Sequence, residues 1–159
     1  MTFSRSEPLP VPVGPALARA TVATAAQLVG LARELLSVTV GYARVRTQFG
    51  APIGSFQAVK HQLADVAVAV EFAAPLVYRA ALTVESDSGD RDASAAKAAA
   101  GEVATLAARV ALQIHGAIGY TEELDLRFWL ARAWSLSAAY GTTAAHRERL
   151  RTAITGRRP

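Results

Sequence analysis

The sequence contains no cysteine, which excludes disulfides and thiolate metal sites. Its three histidines, His61, His115 and His146, stand far apart, and no pair has the spacing of metal ligands. Aromatic residues amount to only 7%, and runs of Val, Ile, Tyr and Phe that would signal strands are few. No uninterrupted apolar run approaches the ~20 residues that cross a bilayer. The N-terminus lacks the basic-then-apolar pattern of a secretory signal. A cytoplasmic protein without a membrane partner is the expectation.

Alanine is abundant instead. Hydrophobic residues make up 52% of the 159, enough for one domain with a substantial core. Alanine is the best helix former, so an all-α fold is predicted. A core of small residues lets helices approach closely but buries modest area, and a partner surface is expected to complete it. The net charge is +4. Part of the excess lies at the end, in HRERLRTAITGRRP. Such a tail can be a solvated end or can touch nucleic acid. No recognition motif accompanies it, so no nucleic-acid partner is expected.

Residues 1–15 hold Pro8, Pro10, Pro12 and Pro15 and read as an extended leader or linker. A long helix follows over 16–45, striped by Leu17, Val22, Leu28, Leu31, Leu35, Val38 and Tyr42. Gly30 and Gly41 inside it cost about 1 kcal/mol each relative to alanine, which close helix contact would explain. A loop over 50–54 leads to Ser55, the predicted N-cap of a second helix over 56–84 that Pro75 should kink or break. After a polar loop, Asp92 caps a third helix over 93–115. A fourth helix spans 124–139 with Trp129 and Trp134 as packing anchors. Gly141-Thr142 interrupts the pattern before a short fifth helix over 143–154 and a basic tail over 156–159. Short connections predict a four-helix up-down bundle with a short C-terminal helix.

The segment 42–57, YARVRTQFGAPIGSFQ, breaks the helical pattern and gathers Arg44, Arg46, Gln48, Phe49 and Gln57. A guanidinium, amides and an aromatic ring between two rigid helices suit a phosphorylated, flat ligand. The plainer alternative is a helix–turn–helix connection with a solvated basic end.

This segment, the turn Gln113-Ile-His-Gly116-Ala-Ile-Gly119-Tyr120-Thr121, and Gly141-Thr142 resemble, in order and spacing, the C-terminal helical domain of the acyl-CoA dehydrogenase family. The resemblance covers roughly 16–155. It implies the last of three domains in proteins that are usually tetramers. Family members use FAD to oxidise the Cα–Cβ bond of an acyl-CoA thioester: a base takes the α proton and the β hydride goes to the flavin. By the same resemblance, Arg46, Gln48 and Phe49 contact the pyrophosphate and adenosine end of a neighbouring subunit's FAD, with Gln57 beside them. Gln113, Gly116 and Gly119 line the FAD of the adjacent subunit, and Ala117 stands where the family has a second glycine. Thr142 matches a threonine that bonds to the cofactor, and also reads as the N-cap of the last helix.

The base is the departure. Tyr140 occupies the usual glutamate position, and a free tyrosine, with a pKa near ~10, is a poor base at neutral pH. The family's other glutamate site falls near Ala20, beside Arg19. No catalytic residue is therefore assigned, and the chain alone is expected to be inactive. It would act with a partner supplying the N-terminal and middle domains and a share of the acyl-CoA site, as a homo- or hetero-oligomer. A non-catalytic assembly module of the same family is the alternative, and an unrelated bundle with a nucleic-acid-binding tail is a third. His115 lies in the cofactor turn, His61 at a core edge or surface, and His146 among basic residues, where it is expected to be solvated. Arg127 and Arg132 are expected to pair with carboxylates, although Ala133 replaces a common family aspartate.

Overall fold

A computed structural model describes residues 13–156 of the chain. The leader and basic-tail expectations for 1–12 and 157–159 lie outside the described residues. Five α-helices follow one another: α1 (Gly14–Val45), α2 (Gln57–Thr83), α3 (Gly89–His115), α4 (Leu126–Ala138) and α5 (Thr143–Thr155). Two 2-residue strands, β1 (Thr47–Gln48) and β2 (Ala51–Pro52), form a small antiparallel ribbon after α1.

Residue spacing builds the core. On α1, Ala25, Leu28, Ala32 and Leu35 are completely buried, and their 3-4-3 spacing keeps one stripe inward. On α2, Val66, Val70, Ala73, Val77 and Ala80 do the same. Both stripes close on α3, where Ala96, Ala100, Ala104, Ala107 and Ala111 leave a smooth surface. With little side chain to separate them, the helices approach closely. α3 touches all four other helices and is the axis of the bundle.

Several local expectations give way. The helix α2 runs unbroken through Pro75, which sits on its exposed side, where water can take the carbonyl the proline leaves free. A Cβ at Gly30 or Gly41 would meet nothing within 4 Å, so close helix contact does not explain either glycine. Ser55 does not cap α2. A 3-10 turn over Ile53–Ser55 comes first, the Ser55 hydroxyl donates to the Pro52 carbonyl at 2.7 Å, and Phe56 takes the cap position. Asp92 lies inside the first turn of α3, not ahead of it. Its buried carboxylate accepts from Arg79 and Thr83 of α2 at 3.0 Å each, and from Arg91 at 3.0 Å, pinning the α2–α3 connection. Trp129 and Trp134 are not interior anchors. They remain 37% and 49% exposed, while Leu126, Leu130, Ala133 and Leu136 carry the packing of α4.

One apolar surface is left open. The outer side of α2 exposes Val68, Phe72, Tyr78 and Leu82. Among the described residues, α2 is the one helix long and apolar enough to cross a membrane by length and composition. It also carries Asp65, Glu71 and Arg79, all exposed, and charged side chains at membrane depth cost about 2.5–3.5 kcal/mol each.

Candidate functional site

The C-terminal end of α1 runs into a tight hairpin. Phe49 and Gly50 both adopt positive φ, 54° and 80°, the conformation a two-residue type I′ turn demands. Glycine takes it freely; Phe49 is held there by the ribbon pairs Thr47–Pro52 and Gln48–Ala51 and by the Ile53 amide donating to the Arg46 carbonyl at 2.8 Å. The turn thrusts the Phe49 ring outward, 93% exposed, edge-on to Phe56 at 6.3 Å. The Arg46 guanidinium makes no hydrogen bond or ion pair among the described residues. Gln48 donates to the Thr47 carbonyl, which leaves its amide oxygen facing solvent. Gln57 opens α2 and is exposed. Gly54 packs the loop against α1: a Cβ there would lie 3.0 Å from the Ala43 carbonyl oxygen.

The C-terminal end of α3 lies beside this loop. Tyr42 of α1 stacks on His115 of α3, ring centroids 4.3 Å apart and planes at 24°. The His115 ring is buried and its Nδ1 sits 2.8 Å from the Ala111 carbonyl, so Nδ1 carries the proton in the neutral ring. Gly116 then turns the chain with φ 64°, and a 3-10 turn over Gly116–Tyr120 follows. Gly116 has open space where a Cβ would be, whereas Gly119 is packed against Leu112, His115 and Leu126. Gln113 is exposed and lines a shallow hollow with Arg109, Gly116, Ala117 and Tyr120. The loop of 42–57 and the turn of 113–121 therefore form one end of the bundle.

The third expected segment is elsewhere. The α4–α5 turn carries Tyr140 with φ 57° and Gly141 with φ 115°. Thr142 caps α5, its hydroxyl accepting from the Ala145 amide at 3.3 Å, so the N-cap reading holds. Under the turn lies Lys97 of α3, fully buried, donating to the carbonyls of Ser137 at 3.0 Å and Gly141 at 3.1 Å. Lys97 and Gln113 are 16 residues apart on α3, about 24 Å along its axis. The Thr142 segment does not join the other two in one pocket.

His146 is the clearest correction. It is not solvated but 1% exposed, with Nε2 3.1 Å from the Tyr140 carbonyl and Nδ1 3.3 Å from the Ser94 hydroxyl. Burial lowers its pKa, helped by the charges of Arg149 and Lys97 and opposed by the Tyr140 hydrogen bond. Burial also lowers the Lys97 pKa. Arg127 pairs with Glu122 at 2.6 Å; Arg132 instead bonds the Gln27 amide, and Ala133 is buried. His61 is exposed on α2. Lys97 is the buried position that motif matching passes over, and Tyr42, the first residue of the matched segment, gains its place only from the stack on His115. The signal for Lys97 is its place on the row Ala93, Lys97, Gly101, Ala104, where every neighbour is small and inward.

Comparisons with known proteins agree with this architecture. The sequence model of the family described as "Acyl-CoA dehydrogenase, C-terminal domain" matches residues 13–155. The chain is 38% identical over 127 residues to the probable acyl-CoA dehydrogenase YngJ of Bacillus subtilis, covering 79% of this chain and 33% of the relative. Among solved structures, the glutaryl-coenzyme A dehydrogenase–glutaryl-CoA complex superposes with a TM-score of 0.86 at 32% identity, over 92% of this chain and 38% of that one. The ChsE4–ChsE5 complex of Mycobacterium tuberculosis gives 0.84 at 28% identity, over 90% and 39%. The chain thus spans about a third of the curated relative's length.

Proposed function

The chain belongs to the acyl-CoA dehydrogenase family, as its C-terminal domain, and on that premise we propose that it serves an FAD-dependent acyl-CoA dehydrogenase by gripping the cofactor across a subunit boundary. The observation that carries this is the Tyr42–His115 stack, which joins the Arg46–Phe49 loop to the Gln113–Gly119 turn at one end of the bundle. The residues there fit the group. Arg46 has an uncommitted planar fork of donors for phosphate oxygens. Phe49 offers a bare aromatic face, and Gln48, Gln57 and Gln113 offer exposed amides. Gly116 leaves its backbone approachable, and Ala117, exposed beside it, adds one methyl at the rim.

FAD, when bound, supplies the two-electron acceptor of the dehydrogenation. The chain's own residues hold and orient it. Thr142 lies beside the far part of α3 and belongs to a different cofactor site from Arg46. One protomer contributing to two sites calls for an assembly of several protomers. The apolar face of α2 supplies a surface for it, and the relative solved as a ChsE4–ChsE5 complex is a two-component assembly. The substrate of the assembly is an acyl-CoA thioester. Neither position 140 nor position 20 carries a carboxylate. Glu85, the carboxylate that reaches the neighbourhood of Ala20, is held by Arg19 at 2.7 Å. On this reading the proton-abstracting base comes from outside this chain, and the chain alone is inactive. The second reading, a non-catalytic assembly module, rests on the same apolar face and on Tyr140.

Flavin titration decides between them. If the cofactor reading is right, FAD fluorescence should change on adding the chain, alone or with a chain bearing the N-terminal and middle domains. Arg46→Ala or Gln113→Ala weakens that uptake by about tenfold or more, the scale of one charge-assisted hydrogen bond. Flavin uptake indifferent to both substitutions would remove the cofactor role and leave the assembly module.

A further inference from the structure

The turn at 139–142 is held almost entirely by its backbone. Among the described residues, the side chains that anchor its carbonyls are the Lys97 ammonium on Ser137 and Gly141 and the His146 ring on Tyr140. Ser137 is one of the last residues of α4, where carbonyls have no partner within the helix and the dipole is negative. A buried cation placed there satisfies both needs at once. His146 lies in the first turn of α5, where the helix dipole disfavours a second cation, and its neutral ring donates from Nε2 to Tyr140 while Nδ1 accepts from Ser94. The fit is close. A Cβ on Gly141 would lie 2.9 Å from His146 Nε2, and one on Gly101 would lie 2.7 Å from the Thr143 hydroxyl. Tyr140 is a non-glycine residue at φ 57°, a conformation that persists only where the surroundings impose it. Its side chain is 52% exposed.

We infer that Lys97, His146 and Ser94 form a buried clamp that positions residue 140 and Thr142 whatever side chain residue 140 carries, so that the platform of the family's base is intact in this chain although its carboxylate is not. The importance of that turn rests on the family reading. Lys97 and His146 act through the backbone and are positioning residues. The clamp is pH-sensitive by construction. Its ring faces Lys97 from α3 and Arg149 from its own helix; Asp90 and Arg91 of α3 line the same hollow of about 390 Å³, and α1 contributes only Leu17, Ala18 and Thr21 beside Gly14. Protonating His146 therefore adds a cation beside two others and forces the Ser94 hydroxyl to reverse.

Amide hydrogen exchange on the full chain tests this. Lys97→Met should speed exchange at Ala139, Ala145 and His146 by about tenfold or more while Leu28 and Val103 in the core stay protected. Tyr140→Glu should leave all of them unchanged. Unchanged exchange at Ala139 and Ala145 in folded Lys97→Met, or equal loosening in Tyr140→Glu, overturns the clamp. Should Lys97→Met fail to fold, the unsubstituted chain answers alone. As pH falls and the His146 ring nitrogens report protonation, exchange at Ala139 and Ala145, corrected for intrinsic rate, should accelerate. Protonation without that change overturns the proposal. Loosening of the turn with unaltered FAD affinity supports the clamp and counts against a cofactor role for Thr142, so the two claims fail separately.

Discussion

Tyr42 and His115 lie ring on ring, 4.3 Å between centroids, across the gap between the C-terminal ends of α1 and α3. The relationship explains why two segments far apart in sequence, 42–57 and 113–121, lie at one end of the bundle. Each ring sits near the last rigid point of its helix. Beyond Tyr42 the chain becomes the hairpin with Arg46 and Phe49; beyond His115 it becomes the glycine turn.

Replacing His115 by Ala should therefore cost about 1 kcal/mol from the lost ring pair, and more from the emptied space. It should loosen both the 46–52 hairpin and the 116–120 turn in amide exchange. His115→Phe keeps the stack and should restore the hairpin. Loosening confined to the 116–120 turn would show that the stack does not couple them.

Thr142→Ala removes the acceptor of the Ala145 amide. An N-cap loss of this kind costs about 1 kcal/mol, and Thr142→Ser or Thr142→Asp should restore most of it in denaturant unfolding. A hydroxyl that also serves the cofactor shows a different pattern: Ser rescues flavin affinity and Asp, by repelling phosphate, does not. Equal rescue by both in the two assays would confine Thr142 to capping.

The bundle is legible in the sequence because large and small residues alternate at helical spacing, as at Ala25, Leu28, Ala32 and Leu35. The hairpin is not, because glycine marks only one of its two positive-φ positions and nothing local marks Phe49. Ser55 reads as a cap because hydroxyls often are; here the 3-10 turn uses that hydroxyl one residue too early. His146 misleads for a related reason. Arg147, Glu148 and Arg149 follow it in sequence, yet on a helix neighbours point in different directions, and His146 faces α3. Lys97 escapes notice because charge normally marks the surface.

Asp92 makes stability depend on acid. Burial opposes its ionisation, but hydrogen bonds from Arg91, Arg79 and Thr83, with the charge of Arg79, outweigh it and hold the carboxyl at about 2, below its ordinary 3.8. A depressed carboxyl pKa stabilises the fold above the unfolded value, and the gain disappears as pH falls through the folded one. Asp92→Asn should therefore lower the melting temperature at neutral pH, by roughly the effect of 1–3 kcal/mol for a buried group that loses its partners. The difference from the unsubstituted chain should shrink between about pH 5 and pH 2. A gap that stays constant over that range would mean that the Asp92 charge contributes nothing.

The outer face of α2 gives the sharpest test of assembly. Phe72 is 76% and Leu82 88% exposed, with Val68 and Tyr78 beside and between them. An exposed apolar face of this kind, interrupted only by Glu71 and Arg79, suits an interaction surface, and burying one such side chain contributes about 1.5–3 kcal/mol. In a two-fold interface every substitution counts twice. Phe72→Glu places a carboxylate where an apolar partner should be, and both copies must then desolvate it. The expected result is a fall in mass by sedimentation equilibrium, from an oligomer to the protomer, with the helical circular dichroism unchanged. Exchanging exposed Glu34 of α1 for Lys, on a different helix, should leave the mass alone. If Phe72→Glu sediments as the unsubstituted chain does, the subunits meet through some other face.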